Sequence, residues 1–361
     1  MKSCLTTLCY IEKDDSYLML HRIVKKNDVN KDKWIGIGGH FEQGESPEEC
    51  LLREAEEETG LILTSYQFRG IVTFLSDDYP PEYLCLFTAD AFEGDMIPCE
   101  EGVLEWVPKQ EVEQLNLWEG DHIFLNLIRE GHPFFSLKLK YENNVLKEAV
   151  LDGRAMELID IRNPDGTVTG RVRERTLIHR DGDLHGTSHV WIYRKHADQG
   201  HAGQSHADQG HADQNNTDQS FDLLLQKRAC GKDAFPGCYD ISSAGHIPAG
   251  NDYASSAVRE LGEELGIHAD TEELHFLGMY ESRVEREFYG RPFRNHEISA
   301  VYLLEKSLEP DQLSLQEEEV EQVVWMDIRD IRQGIEEKTL NHCILTDELD
   351  MLEKYLSSLD R

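Results

Sequence analysis

One arrangement of charge occurs twice in this chain, and it leaves little freedom in how either segment is read. Arg53-Glu54-Ala55-Glu56-Glu57-Glu58-Thr59-Gly60 is matched by Arg259-Glu260-Leu261-Gly262-Glu263-Glu264-Leu265-Gly266. On a helix, positions i, i+3 and i+4 fall within an arc of about 100°. Glu54, Glu57 and Glu58 therefore share one face, and Glu260, Glu263 and Glu264 share the matching face. Like charges at that spacing repel and destabilise an isolated helix. A divalent cation on the face reverses the sign, because hard ions such as Mg²⁺ take carboxylate oxygens together with phosphates and water.

The flanks agree with this reading. Ser46-Pro47-Glu48-Glu49 is a helix start with a capping box and a proline at the first turn, and Gly60 is a stop. Gly38-Gly39 before the first helix allows backbone to approach an ion or a phosphate closely. Gly245-His246 stands before the second. Arg53 lies one turn from Glu57 and can position it, as Arg259 can for Glu263. Glu45, just before the first helix, can point at the same place. The second copy has Asn251 there, and it carries Gly262 inside the helix at a cost of about 1 kcal/mol relative to Ala. It is the weaker copy by one carboxylate.

Gly39, five residues, Glu45, seven residues, Arg53-Glu54 and Glu57-Glu58-Thr59-Gly60-Leu61 together resemble the Nudix box. The likeness extends beyond it. "QFRGIVTF" after the first box parallels "HFLGMYES" after the second, and "EGVLEWVPKQEV" parallels "EVEQVVWMDIRDI". The resemblance implies an α/β protein of two tandem Nudix domains, each an α/β/α sandwich around a mixed sheet, over 1–151 and 156–361. It implies Mg²⁺, with Mn²⁺ as the alternative ion, held by Glu54, Glu57 and Glu58 and by Glu260, Glu263 and Glu264. Glu57 or Glu58 then serves as ligand or base, with Glu263 and Glu264 as counterparts and Arg53 and Arg259 assisting. Gly38, Gly39, Gly245 and His246 line the substrate.

The first half resembles MutT-type hydrolases of oxidised purine nucleoside triphosphates, through "KWIGIGGHFEQGE", "LNLWEGDHIFL" and "PFFSLKLKYENNVLKEAVL". That likeness implies a purine held by Trp118 and Asp121. An indole stacks on a base, and a carboxylate reads ring N–H groups. Glu101 resembles a further catalytic acid across the site. Ile35 stands where some relatives place a base-contacting Asn, and Gly120 where some place a second Asp. The second half resembles the isopentenyl-diphosphate-isomerase-like branch, through "LIDIRNPDGTVTGRVRE" and "DAFPGCYDISSAGHIPAG". Isomerases carry a Cys where this chain has Ala244, and a Glu where it has Asn295, beside Glu297. Without that thiol for proton transfer, diphosphate hydrolysis is the expectation. His185 and His246 match isomerase metal ligands. The alternative is a non-catalytic nucleotide-binding sensor or scaffold in the second half, or in both.

Other features bound the partners. The net charge of −34 repels a DNA or RNA backbone, which leaves small phosphorylated substrates and nucleoside triphosphates. No apolar run is long enough for a membrane span. Eight scattered Cys without a CxxC pair, and no signal-like start, point to reduced thiols and a cytoplasmic location. The His/Asp/Gln/Gly-rich tract 196–220 cannot bury a core and reads as a disordered insertion at a hairpin tip. "TLNHCILTDELDMLEKYLSSL" reads as an amphipathic C-terminal helix used for packing.

Overall fold

The computed structural model describes residues 3–24, 29–195, 221–232 and 234–359; the tract 196–220 lies outside them. Two compact units divide the chain, residues 1–158 with 170–177, and 159–169 with 178–361.

The first unit contains β1 (Cys4–Lys13), β2 (Ser16–Arg22), β3 (Trp34–Ile35), α1 (Pro47–Thr59), β4 (Ile62–Leu75) and β5 (Glu82–Glu93). After these come β6 (Gly102–Pro108), α2 (Lys109–Val112), α3 (Glu119–Arg129), β7 (Phe135–Glu142), β8 (Val145–Leu151) and β9 (Arg154–Ala155). The strand order is β3-β2-β1-β5-β4-β7-β8-β9, with β6 on β2. β1–β5 and β4–β7 are parallel among antiparallel neighbours, so the sheet is mixed. Alternation along β1 explains the layers. Cys9 and Ile11 pack with Leu51 and Ala55 of α1, while Tyr10 on the other face meets Phe124 of α3. The turns form where short polar residues accept positive φ: Asp14-Asp15 in one hairpin and Asn143-Asn144 in another.

The chain continues through β10 (Leu158–Arg162), β11 (Val168–Glu174) and α4 (Arg175–Asp181), of which Gly170–Leu177 cluster with the first unit, and the second unit then takes β12 (Leu184–Lys195), β13 (Phe221–Arg228), β14 (Tyr239–Asp240) and β15 (Ser243–His246). It continues through α5 (Tyr253–Leu265), β16 (His275–Phe288), β17 (Arg291–Glu305), β18 (Val320–Asp327), α6 (Ile328–Glu336) and α7 (Thr346–Leu359). β12 is central, antiparallel to β13 and β15 and parallel to β17. Both of its faces are covered. Val190 and Ile192 pack with Ala257, Leu261 and Leu265 of α5. Trp191 and Tyr193 pack with Ile331 of α6 and with Leu349, Leu352 and Leu356 of α7. That two-sided burial is why β12 reads as a nearly unbroken buried run.

The C-terminal helix begins at Thr346, not at Thr339 as its sequence suggests. The intervening backbone is committed elsewhere: Tyr239 N–H donates to the Asn341 carbonyl at 2.8 Å, and Cys343 N–H donates to the Tyr239 carbonyl at 2.9 Å. These bonds draw the segment alongside β14 and out of the helical ladder.

Candidate active site

Helix α1 is fixed at both ends. Ser46 and Glu49 form the reciprocal capping box, and Gly60 closes the helix in the left-handed region at φ 75°. The helix therefore holds its acidic face against the Gly38-Gly39 backbone. A Cβ added at Gly39 would stand 2.5 Å from the Glu54 carboxyl carbon, so any side chain there would displace that carboxylate from the backbone. Glu58 Oε2 accepts the Gly38 N–H at 3.2 Å.

Arg53 organises the other acids. Its Nε and Nη2 donate to the two oxygens of Glu45 at 2.6 and 2.9 Å. Its Nη1 reaches Glu54 Oε1 at 2.7 Å and Glu57 Oε2 at 3.1 Å, and Nη2 also reaches the His40 carbonyl at 3.0 Å. Hydrogen bonds from Arg53, then from the Glu42 N–H, hold the Glu45 carboxyl down at about 2. Glu58 is pushed the other way, to about 7. Burial is the first cause, and the charges of Glu101 and Glu54 add to it against the Gly38 N–H. Glu101 is thus close enough to act on Glu58, and it is ion-paired to Arg22 of β2, a residue the sequence did not single out.

Trp118 caps α3. Its indole N–H donates to Asn30 Oδ1 at 2.9 Å, its ring lies edge-on to Tyr141 at 5.2 Å, and Lys33 Nζ sits 4.7 Å over it. Asp121 is buried, and burial raises its carboxyl to about 7 although His122 and Lys33 oppose the shift. Gly120 has a steric reason. A Cβ there would come 2.3 Å from Leu139 Cδ1 and 2.8 Å from the Tyr141 hydroxyl, so a second acid would have to displace both buried side chains.

Much of the carboxylate arrangement repeats in the second unit. A Cβ at Gly245 would stand 2.1 Å from the Glu260 carboxyl carbon, and Glu264 Oε2 accepts the Ala244 N–H at 3.3 Å. Burial pushes Glu264 to about 7 as well. Arg259 bridges Glu263 and Glu260, at 2.6 Å each. One part is missing. Arg259 Nε is buried with no hydrogen-bond partner among the described residues. Glu45 fills that role for Arg53; Asn251, at the matching position, is exposed and does not.

The three acids of each helix share a face without converging on one point. Among the described residues, the one group of three His, Cys, Asp or Glu whose ligand atoms all lie within 4.8 Å of one another is His179, His185 and His246. His185 and His246 were expected to take part in a site; His179, on α4, was missed. Each pair of rings is 5.2 Å apart between centroids. His185 Nδ1 is 2.9 Å from the Asp183 carbonyl. That contact makes Nδ1 the protonated nitrogen and turns the Nε2 lone pair toward the group, the usual way a ligating histidine is oriented. His185 Nε2 is buried with no hydrogen-bond partner among the described residues and stands 3.8 Å from Glu297 Oε1. Burial first of all lowers His185 to about 4, so the ring is neutral near pH 7. Asn295 Oδ1, two residues before Glu297, is likewise buried with no hydrogen-bond partner among the described residues. These donors fit a divalent metal with mixed nitrogen and oxygen preference.

Comparison with known proteins agrees with the repeat. A family profile described as "NUDIX domain" matches residues 3–128 and 209–343. The chain is 36% identical over 183 residues to "Nudix hydrolase 3" of Arabidopsis thaliana, a match covering 49% of this chain and 20% of that protein. It therefore spans about a fifth of that relative's length. It is 25% identical over 130 residues to "Oxidized purine nucleoside triphosphate hydrolase" of Danio rerio, covering 36% of this chain and 83% of that one. It is 31% identical over 118 residues to "Isopentenyl-diphosphate Delta-isomerase" of Cereibacter sphaeroides, covering 32% of this chain and 62% of that one.

Proposed function

The chain belongs to the NUDIX domain family, in two stretches, and from that premise we propose that the first unit is a pyrophosphohydrolase of nucleoside triphosphates of the oxidised-purine type. It would release the monophosphate and pyrophosphate. The observation that supports this best is the α1 face, where Gly39 backbone abuts Glu54, Arg53 ties Glu45, Glu54 and Glu57 together, and Glu58 accepts the Gly38 N–H. Glu54, Glu57 and Glu58 would hold Mg²⁺, which supplies charge neutralisation on the phosphate oxygens and acidifies water. Arg53 orients two of those acids. Glu58 Oε2, fixed by the Gly38 N–H, is placed to take a proton near neutral pH. Glu101, held by Arg22, adds a carboxylate beside it. Trp118 offers a face to the purine, and Asp121, titrating near 7, can present either a donor or an acceptor to the base edge.

Pyrophosphate release from 8-oxo-dGTP and dGTP by the full chain tests this reading. Glu57→Gln is expected to lower kcat about 100-fold or more, with the fold unchanged by circular dichroism. Unchanged turnover in Glu57→Gln sinks the reading and leaves a nucleotide-binding sensor.

For the second unit we propose diphosphate hydrolysis on a like carboxylate face, beside a second metal centre of His179, His185, His246 and Glu297. The orphaned Nε2 of buried His185 favours that centre. Ala244 supplies no thiol, which argues against isomerisation.

A further inference from the structure

The first unit also contains a cavity that the carboxylate chemistry does not use. It is a half-open hollow of about 700 Å³, lined by residues of β1, β2 and the turn between them, β4, β5, α2 and the last turn of α3. That volume is in the range of small-molecule sites. Its floor is the sheet face turned away from α1, because Glu12 follows Tyr10 in the alternation and Tyr10 packs on α3. It lies under Ile128 and Arg129, whereas Trp118 caps the opposite end of the same 11-residue helix, roughly 16 Å away.

The wall is shaped on purpose. Ser65, Tyr66, Gln67 and Arg69 of β4 all line it. A regular strand would send neighbours to opposite faces. β4 is irregular at Leu63/Ser65, Ser65/Tyr66 and Phe68/Gly70, and Arg69 is the residue skipped by the last of these. Bulges of this kind re-aim a side chain; here Gln67, paired with Thr88, and Arg69, which donates to it, share the space, while the Tyr66 ring turns toward Phe87 on the α1 face.

The charges inside are partly satisfied. Lys109 and Glu12 close on each other at 2.6 Å, and Arg129 lies 3.6 Å from Glu113. Arg69 donates to Gln67 Oε1 at 2.7 Å and faces the His132 carbonyl at 3.5 Å, with no carboxylate partner among the described residues. The hydroxyls of Tyr17 and Thr88 are in buried residues and make no hydrogen bond among the described residues. Glu12, Arg69, Arg129 and Asp15 all act electrostatically on the Tyr17 hydroxyl, so both arginines and both carboxylates stand near it. Asp90, exposed and without a partner among the described residues, also lines the space. A bare polyanion would meet Asp90 and Asp15 as well as the cations. A ligand with one oxyanion and several hydroxyls matches both sets.

We propose that this cavity is a second ligand site, taking a small phosphorylated sugar. Its phosphate would sit between Arg69 and Arg129 against the Tyr17 and Thr88 hydroxyls, and its own hydroxyls would donate to Asp90. The assignment stands apart from the hydrolase reading, since it uses none of the same residues.

Calorimetric titration of the full chain in EDTA, at fixed ionic strength, tests it with ribose 5-phosphate, ribose and inorganic phosphate. Ribose 5-phosphate is expected to bind, ribose alone not, and inorganic phosphate more weakly than the sugar phosphate. Arg69→Ala should weaken binding roughly 10- to 100-fold, the usual loss for a charged hydrogen bond. Tyr17→Phe keeps the ring packed and should weaken it by a smaller factor, which covers the case in which Arg69→Ala misfolds. No binding of ribose 5-phosphate overturns the site, as does binding that survives both variants. Heat lost in Glu57→Gln but kept in Arg69→Ala belongs to the carboxylate face and also overturns it. Equal affinity for inorganic phosphate overturns the sugar assignment.

Discussion

At the scale of single residues, the two arginines are a natural experiment. Arg53 and Arg259 each bridge two acids of their own helix, yet only Arg53 is also clamped by a bidentate carboxylate, from Glu45. The orphaned Arg259 Nε is what the change from Glu45 to Asn251 leaves behind. Paired guanidinium–carboxylate geometry adds orientation as well as charge. Residues that orient metal-holding acids typically change affinity or activity 10- to 100-fold when removed. Glu45→Asn should therefore lower kcat/KM of the first unit by at least about tenfold, and Asn251→Glu should raise Mg²⁺ affinity of the second. Metal titrations of the two full-length variants check both directions. Equal affinities before and after the exchange would show that the clamp is idle.

At the scale of elements, the second carboxylate helix is weaker than it need be. A Cβ at Gly262 would meet nothing nearer than the Ile267 carbonyl at 3.9 Å, so packing does not require glycine. Gly262→Ala should stabilise the second unit by about 0.5–1 kcal/mol, read as a rise in the denaturant midpoint. Helix α7 is tied to β12 by a buried ion pair, His189 Nδ1 to Glu348 Oε1 at 2.7 Å, with the Trp191 indole on the other oxygen at 3.3 Å. Burial pulls the His189 imidazole down. The Glu348 charge and hydrogen bond outweigh that, with Glu297 and Asp240 adding, and the ring is pushed up to about 9. The folded value lies above the ordinary 6.5. The stability so gained is whole below about pH 6.5 and is lost as pH rises through about 9, up to about 3 kcal/mol. Melting curves from about pH 6 to about pH 10 should show that loss in the wild type and a flatter profile in Glu348→Gln. This role was not legible in the sequence, where the C-terminal helix read as packing alone, because His189 and Glu348 meet only through the tertiary fold.

At the scale of the whole molecule, legibility followed sequence distance. Each carboxylate face lies within one helix, so spacing alone exposes it, and capping residues fix where the helix starts and stops. The three histidines come from α4, β12 and β15, and no local period joins them; a strand register had to bring His246 opposite Thr187 before His185 became its neighbour. The β4 cavity was illegible for the same reason, since bulges break the alternation a reader relies on. The proposed function gives the chain two kinds of cation site, oxygen-rich faces on α1 and α5 and a nitrogen-rich group in the second unit. Carboxylates suit Mg²⁺, whereas imidazole suits zinc-class ions. Metal analysis of the full chain after brief dialysis against EDTA, then zinc, should therefore find about one zinc equivalent retained per chain. His185→Ala should lose it, while Mg²⁺-dependent release of pyrophosphate by the first unit stays within about twofold, because the two proposed sites share no residue and no core cluster. Zinc retained in His185→Ala would remove the histidine group from the account and leave the carboxylate faces standing.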